Sequence, residues 1–381
     1  MTAEPPIISR GDPQTGPRPA RETRRFGAGI FPKLLLSALS LVIMLGALEG
    51  AAYIWERGQA NGPYAWELVA SRRIEIVAHP DPPPGYTLLA AGSRWEWGGI
   101  PVEINGNGLR GPETPYAKPP GTIRILNLGD SIAMGWGVAY EDSYGYLLQG
   151  LLTGEIPSAG RIEVINAGVP GWNVENELAF LRSEGLRYEP DLIVLELTLP
   201  NDITGSNALK KGDRSSVIEW LRAHTYFFPF LSIQASWIEA RADGRERIPV
   251  LDPPTTPGSY FPVDAGDDKW DAFWGPVAAI AEAARAEGIP VVLVLFPLEF
   301  QVVDPDFPTT PQEVLVKRAG ESGLPIVDLL SVFQAACAEK PGGPCVLEDR
   351  YLFADVWMHP SPLGNRIAAE TILPVLVETI D

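Results

Sequence analysis

From Thr122 onward the chain alternates short, mostly apolar runs with helix-compatible stretches, and few folds accept that order. The runs are Ile123 to Leu128 (IRILNL), Arg161 to Asn166, Asp191 to Leu197 (DLIVLEL), Pro290 to Phe296 (PVVLVLF) and Pro325 to Leu329. Helices are expected at Tyr144 to Leu152, Asn173 to Arg187, Lys269 to Glu287, Gln312 to Gly320, Leu330 to Ala338 and Pro362 to Ile380. Strands that are apolar on both faces need cover on both sides, which crossover helices supply in a parallel sheet. The pattern predicts an α/β fold with a doubly wound, mainly parallel, five-stranded sheet. In such sheets ligands bind beyond the carboxyl ends of the strands, so the residues after each run are the candidates for chemistry.

After the first run stands Gly129-Asp130-Ser131. A Ser at a strand-to-helix turn presents its hydroxyl at the mouth of the sheet, beside backbone N–H groups that favour a developing negative charge. The second run leads into Asn166-Ala167-Gly168-Val169-Pro170-Gly171-Trp172-Asn173, and the third into Leu199-Pro200-Asn201-Asp202. The N–H of Ser131, the N–H of Gly171 and the side-chain amide of Asn201 form a donor set of the kind an acyl-transfer oxyanion requires. Near the C-terminus, Asp355-Val356-Trp357-Met358-His359-Pro360-Ser361 precedes the last expected helix. Of the three histidines only His359 falls on a strand-following loop of this region, where it can serve as general base to Ser131. Trp136 and Trp172 are candidates to line a substrate pocket.

These four blocks, in this order, resemble those of the SGNH hydrolases, also called the GDSL esterase/lipase superfamily. The resemblance covers about residues 122 to 381. The lead-in phrase INGNGLRGPE (Ile104 to Glu113) and RILNLGDSIAMGWGV further resemble a bacterial, membrane-anchored subgroup. The resemblance implies a flavodoxin-like sandwich with Ser131 as nucleophile, His359 as base and then acid, and Ser131, Gly171 and Asn201 as the oxyanion hole. It implies no cofactor. Two positions depart from the pattern: Leu199 stands where a Gly is usual, and Asp355 lies four rather than three residues before His359. A bulge restoring Asp355, substitution by Asp349, and a Ser-His dyad are the open alternatives for orienting His359.

Leu34 to Trp55 is a 22-residue apolar segment with Glu49 as its only charge, long enough to cross a bilayer as a helix. Arg18, Arg21, Arg24, Arg25 and Lys33 precede it, which places the N-terminus in the cytoplasm and the remainder outside. The expected organisation is a disordered basic tail over 1–29, a signal-anchor helix over 30–56, a β-rich lead-in over 57–121, and the sheet domain over 122–381. A cleaved signal peptide ending near Tyr53, with secretion, is the alternative. A buried soluble helix is a third reading. The formal charge of -18 divides into +3 before Leu34 and -21 after it, a balance that argues against general nucleic-acid binding.

Cys337 and Cys345 bracket the turn-forming AEKPGGP and are spaced for a disulfide in an oxidising compartment. No CxxC or HxxxH spacing suggests a zinc site, and no metal is expected. An insertion over about 203–268 is rich in aromatic residues, among them Trp220, Tyr226, Phe227, Phe228, Phe230 and Trp237. It reads as a subdomain core, an acyl-binding lid or a membrane-facing surface.

The expected activity is membrane-anchored hydrolysis of O-acetyl or short acyl esters, with envelope or extracellular glycans as substrate partners. An O-acyltransferase using the same site and a catalytically weak glycan-binding subunit are the alternatives.

Overall fold

The computed structural model describes residues 30–58, 76–78, 86–97, 99–157, 160–199, 217, 220, 221, 224–242, 267–347, 349–354 and 358–380. The expected tail and parts of the insertion lie outside these residues. The chain divides into two compact units, Met1–Leu48 and Glu49–Asp381. Helix α1 (Ile30–Gly58) begins in the first and ends in the second. It is the one described helix long and apolar enough to cross a membrane, and Leu34 to Leu36 and Leu41 to Leu45 stand exposed along it.

Two antiparallel hairpins form the lead-in. β1 (Ile76–Ala78) pairs with β2 (Thr87–Leu89), and β3 (Arg94–Trp97) with β4 (Ile100–Glu103), which sets Trp95 opposite Val102. Asn105 then fixes the tight return of the motif, its side-chain oxygen accepting from the N–H groups of Asn107 and Leu109. This Asx arrangement replaces ladder hydrogen bonds where the strand stops.

The sheet domain runs β5 (Thr122–Gly129), α2 (Ser131–Met134), α3 (Tyr144–Glu155), β6 (Arg161–Gly168), α4 (Val174–Ser183) and β7 (Leu192–Leu197). It continues through α5 (Phe227–Ala242), α6 (Asp267–Ala286), β8 (Val291–Leu295), α7 (Glu299–Val303), α8 (Thr310–Ser322), β9 (Ile326–Asp328), α9 (Leu330–Ala338) and α10 (Pro362–Ile380). Five parallel strands are ordered β6-β5-β7-β8-β9, with Asn127 of β5 registered between Asn166 and Val194. That is the flavodoxin-like 2-1-3-4-5 order. Nearly every residue of β5 to β8 is buried, because α3 packs beside α10 and α4 beside α6 to cover the sheet. The apolar runs therefore had no polar face to show.

The chain leaves β5 toward β6 on one side and returns to β7 on the other, opening a crevice between the ends of β5 and β7. α4 stops at Ser183, short of the expected Arg187; a 3-10 turn over Gly185–Tyr188 follows. Cys337 and Cys345 are joined by a disulfide, with their Cα atoms 5.1 Å apart.

Candidate active site

Ser131 is the first residue of α2, two residues past the end of β5, where Asp130 caps the turn by accepting from the Ile132 N–H at 2.8 Å. The helix it opens is a single turn, ended by Gly135 in the left-handed region at φ 82°. Stabilisation of charge here therefore comes from local N–H groups rather than from a long helix dipole. The end of β6 presses onto this turn: a Cβ at Gly168 would lie 2.2 Å from the Met134 nitrogen. Asn166 secures the contact by accepting from the Gly168 N–H and donating to the Met134 carbonyl. Across the crevice, buried Glu196 of β7 accepts from the Asp130 N–H at 3.1 Å and from the Thr198 hydroxyl.

His359 arrives on a loop held from both sides. The Ala354 N–H donates to the His359 carbonyl at 2.7 Å, and the Ser361 N–H donates to Leu352 at 2.8 Å. Asn365, in the first turn of α10, donates to the carbonyls of Pro360 and Ser361 and accepts from the Tyr144 N–H. One amide thus ties the His loop to the start of α3. The outcome is a 2.8 Å contact between His359 Nε2 and Ser131 Oγ, across 228 residues of sequence. Both groups are covered, Ser131 being 4% exposed and His359 3%. Trp136 lies against the imidazole, with ring centroids 5.7 Å apart.

Gly171 follows β6 at φ 77°, a backbone that favours glycine. Among the described residues, neither its N–H nor that of Ser131 is given to an acceptor. Asn201 and Asp355 lie outside the described residues. Trp172 corrects an expectation: it is fully buried, donates its indole N–H to the Thr87 carbonyl at 2.9 Å and packs on Tyr86 and Phe180. It joins lead-in to sheet and offers a substrate no surface.

Asp349, the alternative partner for His359, is occupied elsewhere. Its carboxylate accepts from Lys340 and from the N–H groups of Val346 and Tyr351. Burial works to raise its pKa, but these hydrogen bonds and the Lys340 charge hold it below the ordinary 3.8. A carboxyl depressed in this way stabilises the fold above its unfolded value and loses that contribution as pH falls through the folded one. Asp349→Asn is accordingly expected to cost ~1 kcal/mol at neutral pH, with the deficit closing below about pH 3.8. Urea unfolding across the acid range reads both parts.

Sequence reasoning missed Arg110, although it lies in the quoted INGNGLRGPE phrase. Its buried guanidinium donates to the carbonyls of Met134, Gly135 and Val138, at 3.2, 2.5 and 2.9 Å. It thereby pins the lead-in to the turn that carries Ser131. Burial pulls its pKa down to about 10, against the opposing influence of Tyr140 and Glu141, so it remains a cation at neutral pH. Arg110→Gln leaves buried carbonyls short of donors, and a loss of about 1–3 kcal/mol is expected in thermal unfolding. The phrase itself was the available signal; its target, 24 to 28 residues away, was not readable.

A strand-end serine in contact with a loop histidine, beside a crevice where strand order reverses, is an arrangement suited to acyl transfer in an α/β fold. The chain matches the GDSL-like Lipase/Acylhydrolase family over residues 128–367. It belongs to that family and is an SGNH-type enzyme acting on ester bonds. No curated protein matches it. Similar solved structures include the acetyl xylan esterase AlAXEase, at 19% identity over 67% of this chain and 100% of that one, TM-score 0.42. A member of the lipolytic protein G-D-S-L family from Veillonella parvula DSM 2008 is similar at 16% identity over 67% and 98%, TM-score 0.37. A catalytic mutant of Axe2, an acetylxylan esterase from Geobacillus stearothermophilus, is similar at 18% over 66% and 93%, TM-score 0.38.

Proposed function

We propose that the protein is a membrane-anchored serine esterase that removes O-acetyl or other short acyl groups from envelope or extracellular glycans. The observation that carries this reading is the 2.8 Å contact between Ser131 Oγ and His359 Nε2 at the sheet's switch point. With His359 carrying its proton on Nδ1, the free Nε2 takes the Ser131 proton as Oγ attacks the ester carbonyl carbon. The carbonyl π electrons move to oxygen. The resulting oxyanion accepts from the Ser131 and Gly171 N–H groups and the Asn201 side chain. Collapse breaks the ester C–O bond, and the leaving alcohol takes the proton from His359. Water, deprotonated by His359, then attacks the acyl-enzyme and releases the carboxylic acid and Ser131. Asp355 orients the imidazole.

The near-complete cover over Ser131 and His359 favours a small acyl group. Retention of α1 is supported by Glu49, whose carboxylate accepts from the N–H groups of Tyr226 and Phe227. Cleavage near Tyr53 would remove that acceptor. The test is hydrolysis by the detergent-solubilised full chain of p-nitrophenyl acetate, butyrate and octanoate, with acetate release from an acetylated polysaccharide. Fastest turnover of the acetate, with free acetate as product, is expected. Preference for the octanoate, or transfer of the acetyl group to sugar without free acetate, overturns the proposal.

A further inference from the structure

The insertion carries one helix that neither the sheet nor the catalytic pair employs. α5 reads FFPFLSIQASWIEARA, with Glu239 and Arg241 its only charged residues. Along it Leu231, Ala235, Ile238 and Ala242 are all exposed, and their spacing sets them on one stripe. Leu231 is 46% exposed and Ile238 70%. A helix at a water-facing surface carries polar residues on such a stripe. This one is apolar throughout.

The start of α5 is fixed by a charge. The Glu49 carboxylate accepts from the Phe227 N–H at 2.9 Å and from the Tyr226 N–H. Tyr53 meets Tyr226 edge-on with centroids 4.9 Å apart, and Trp55 meets Phe230 at 5.1 Å. Glu49 precedes Trp55, the end of the apolar segment, by six residues, about 9 Å along a helix axis. A carboxylate at that depth in an apolar span is costly without partners. The unsatisfied N–H groups at the start of a helix are suitable ones. The first turn of α5 therefore lies alongside α1 from Glu49, which meets Phe227, to Trp55, which meets Phe230.

We propose that α5 lies in the membrane–water interface of the non-cytoplasmic leaflet, with the Leu231–Ala242 stripe among lipid acyl chains and Glu49 holding its N-terminus. The partner is a lipid bilayer surface, because the first turn of α5 is tied to Glu49, Tyr53 and Trp55 at the end of the apolar segment. The inference rests on α1 being a retained membrane anchor. It gives the insertion a role: its helix α5 is held at the lipid surface.

Single cysteines test this directly, because Cys337 and Cys345 are paired and leave an introduced thiol as the labelling site. Leu231→Cys and Ile238→Cys would each carry a nitroxide in the full chain, reconstituted in nanodiscs of phosphatidylethanolamine and phosphatidylglycerol. Ile43→Cys in α1 serves as the span reference, and Val316→Cys on the exposed surface of α8 as the water reference. Relaxation by oxygen against a water-soluble nickel chelate reads depth. Labels at 231 and 238 are expected to show oxygen-to-nickel ratios several-fold above that at 316. Water-like ratios at either position, with a lipid ratio at 43, overturn the interfacial helix and leave the anchor standing. A water-like ratio at 43 as well overturns both.

Discussion

Ser131→Ala is expected to lower kcat/KM for p-nitrophenyl acetate by on the order of 10^4-fold. The size follows from what the hydroxyl does: held 2.8 Å from His359 Nε2, it supplies the nucleophile. A factor of that size is about 5.5 kcal/mol of transition-state stabilisation, far more than one lost hydrogen bond contributes to folding. The variant should therefore unfold at nearly the wild-type temperature while losing turnover. His359→Ala should match it, since the pair acts as a unit and the two losses do not add. Turnover that survives in folded Ser131→Ala would refute the serine mechanism.

The largest effect on stability is expected far from the site. Arg124 is fully buried near the amino end of β5, about 17 Å along the strand from its carboxyl end at Gly129. Its Nε and Nη2 donate to Glu163 on β6 at 2.9 and 2.7 Å, and Nη1 donates to the carbonyls of Tyr116 and Tyr188. One side chain joins the lead-in, two strands and the turn before β7. Bringing a cation there is costly, but removing one partner is costlier, because the other charge stays behind. Arg124→Met should cost about 3–5 kcal/mol, since among the described residues Glu163 keeps only the exposed Arg161 as a cation, and two carbonyls lose a donor. The double variant Arg124→Met, Glu163→Met should recover part of the loss in urea unfolding. Equal destabilisation by the single and double variants would show that the carbonyl contacts, not the ion pair, dominate. Activity of the folded fraction should be unchanged.

The sheet was legible because its strands are buried on both faces, and continuous apolar runs such as DLIVLEL have few other uses. Two helices, Leu330–Ala338 and Pro362–Ile380, keep their expected bounds. The expected helix from Asn173 ran too far: Gly185 lies against Leu126 and Leu181, and the chain tightens into a 3-10 turn that buries Tyr188. α5 was not legible as a helix with a role, because aromatic residues without a polar face read equally as core or as lipid contact. Ser131 and His359 could be chosen from their places after strand and loop. Their pairing could not, since nothing local joins residues 228 apart. The buried charges were invisible for the same reason: Arg124 meets Glu163 at a separation of 39, and Glu196 reaches Asp130 at 66. A lone charged residue in a sequence looks solvated until its distant partner is known. Trp172 shows the converse, a tryptophan beside a site motif that serves packing alone.

The central claim is that His359 makes Ser131 a nucleophile, and covalent capture tests it most directly. The folded full chain, treated with a fluorophosphonate and mapped by peptide mass spectrometry, should carry one adduct, on Ser131, and His359→Ala should abolish it. An adduct on another residue, or none in protein whose fold is verified, would contradict the account.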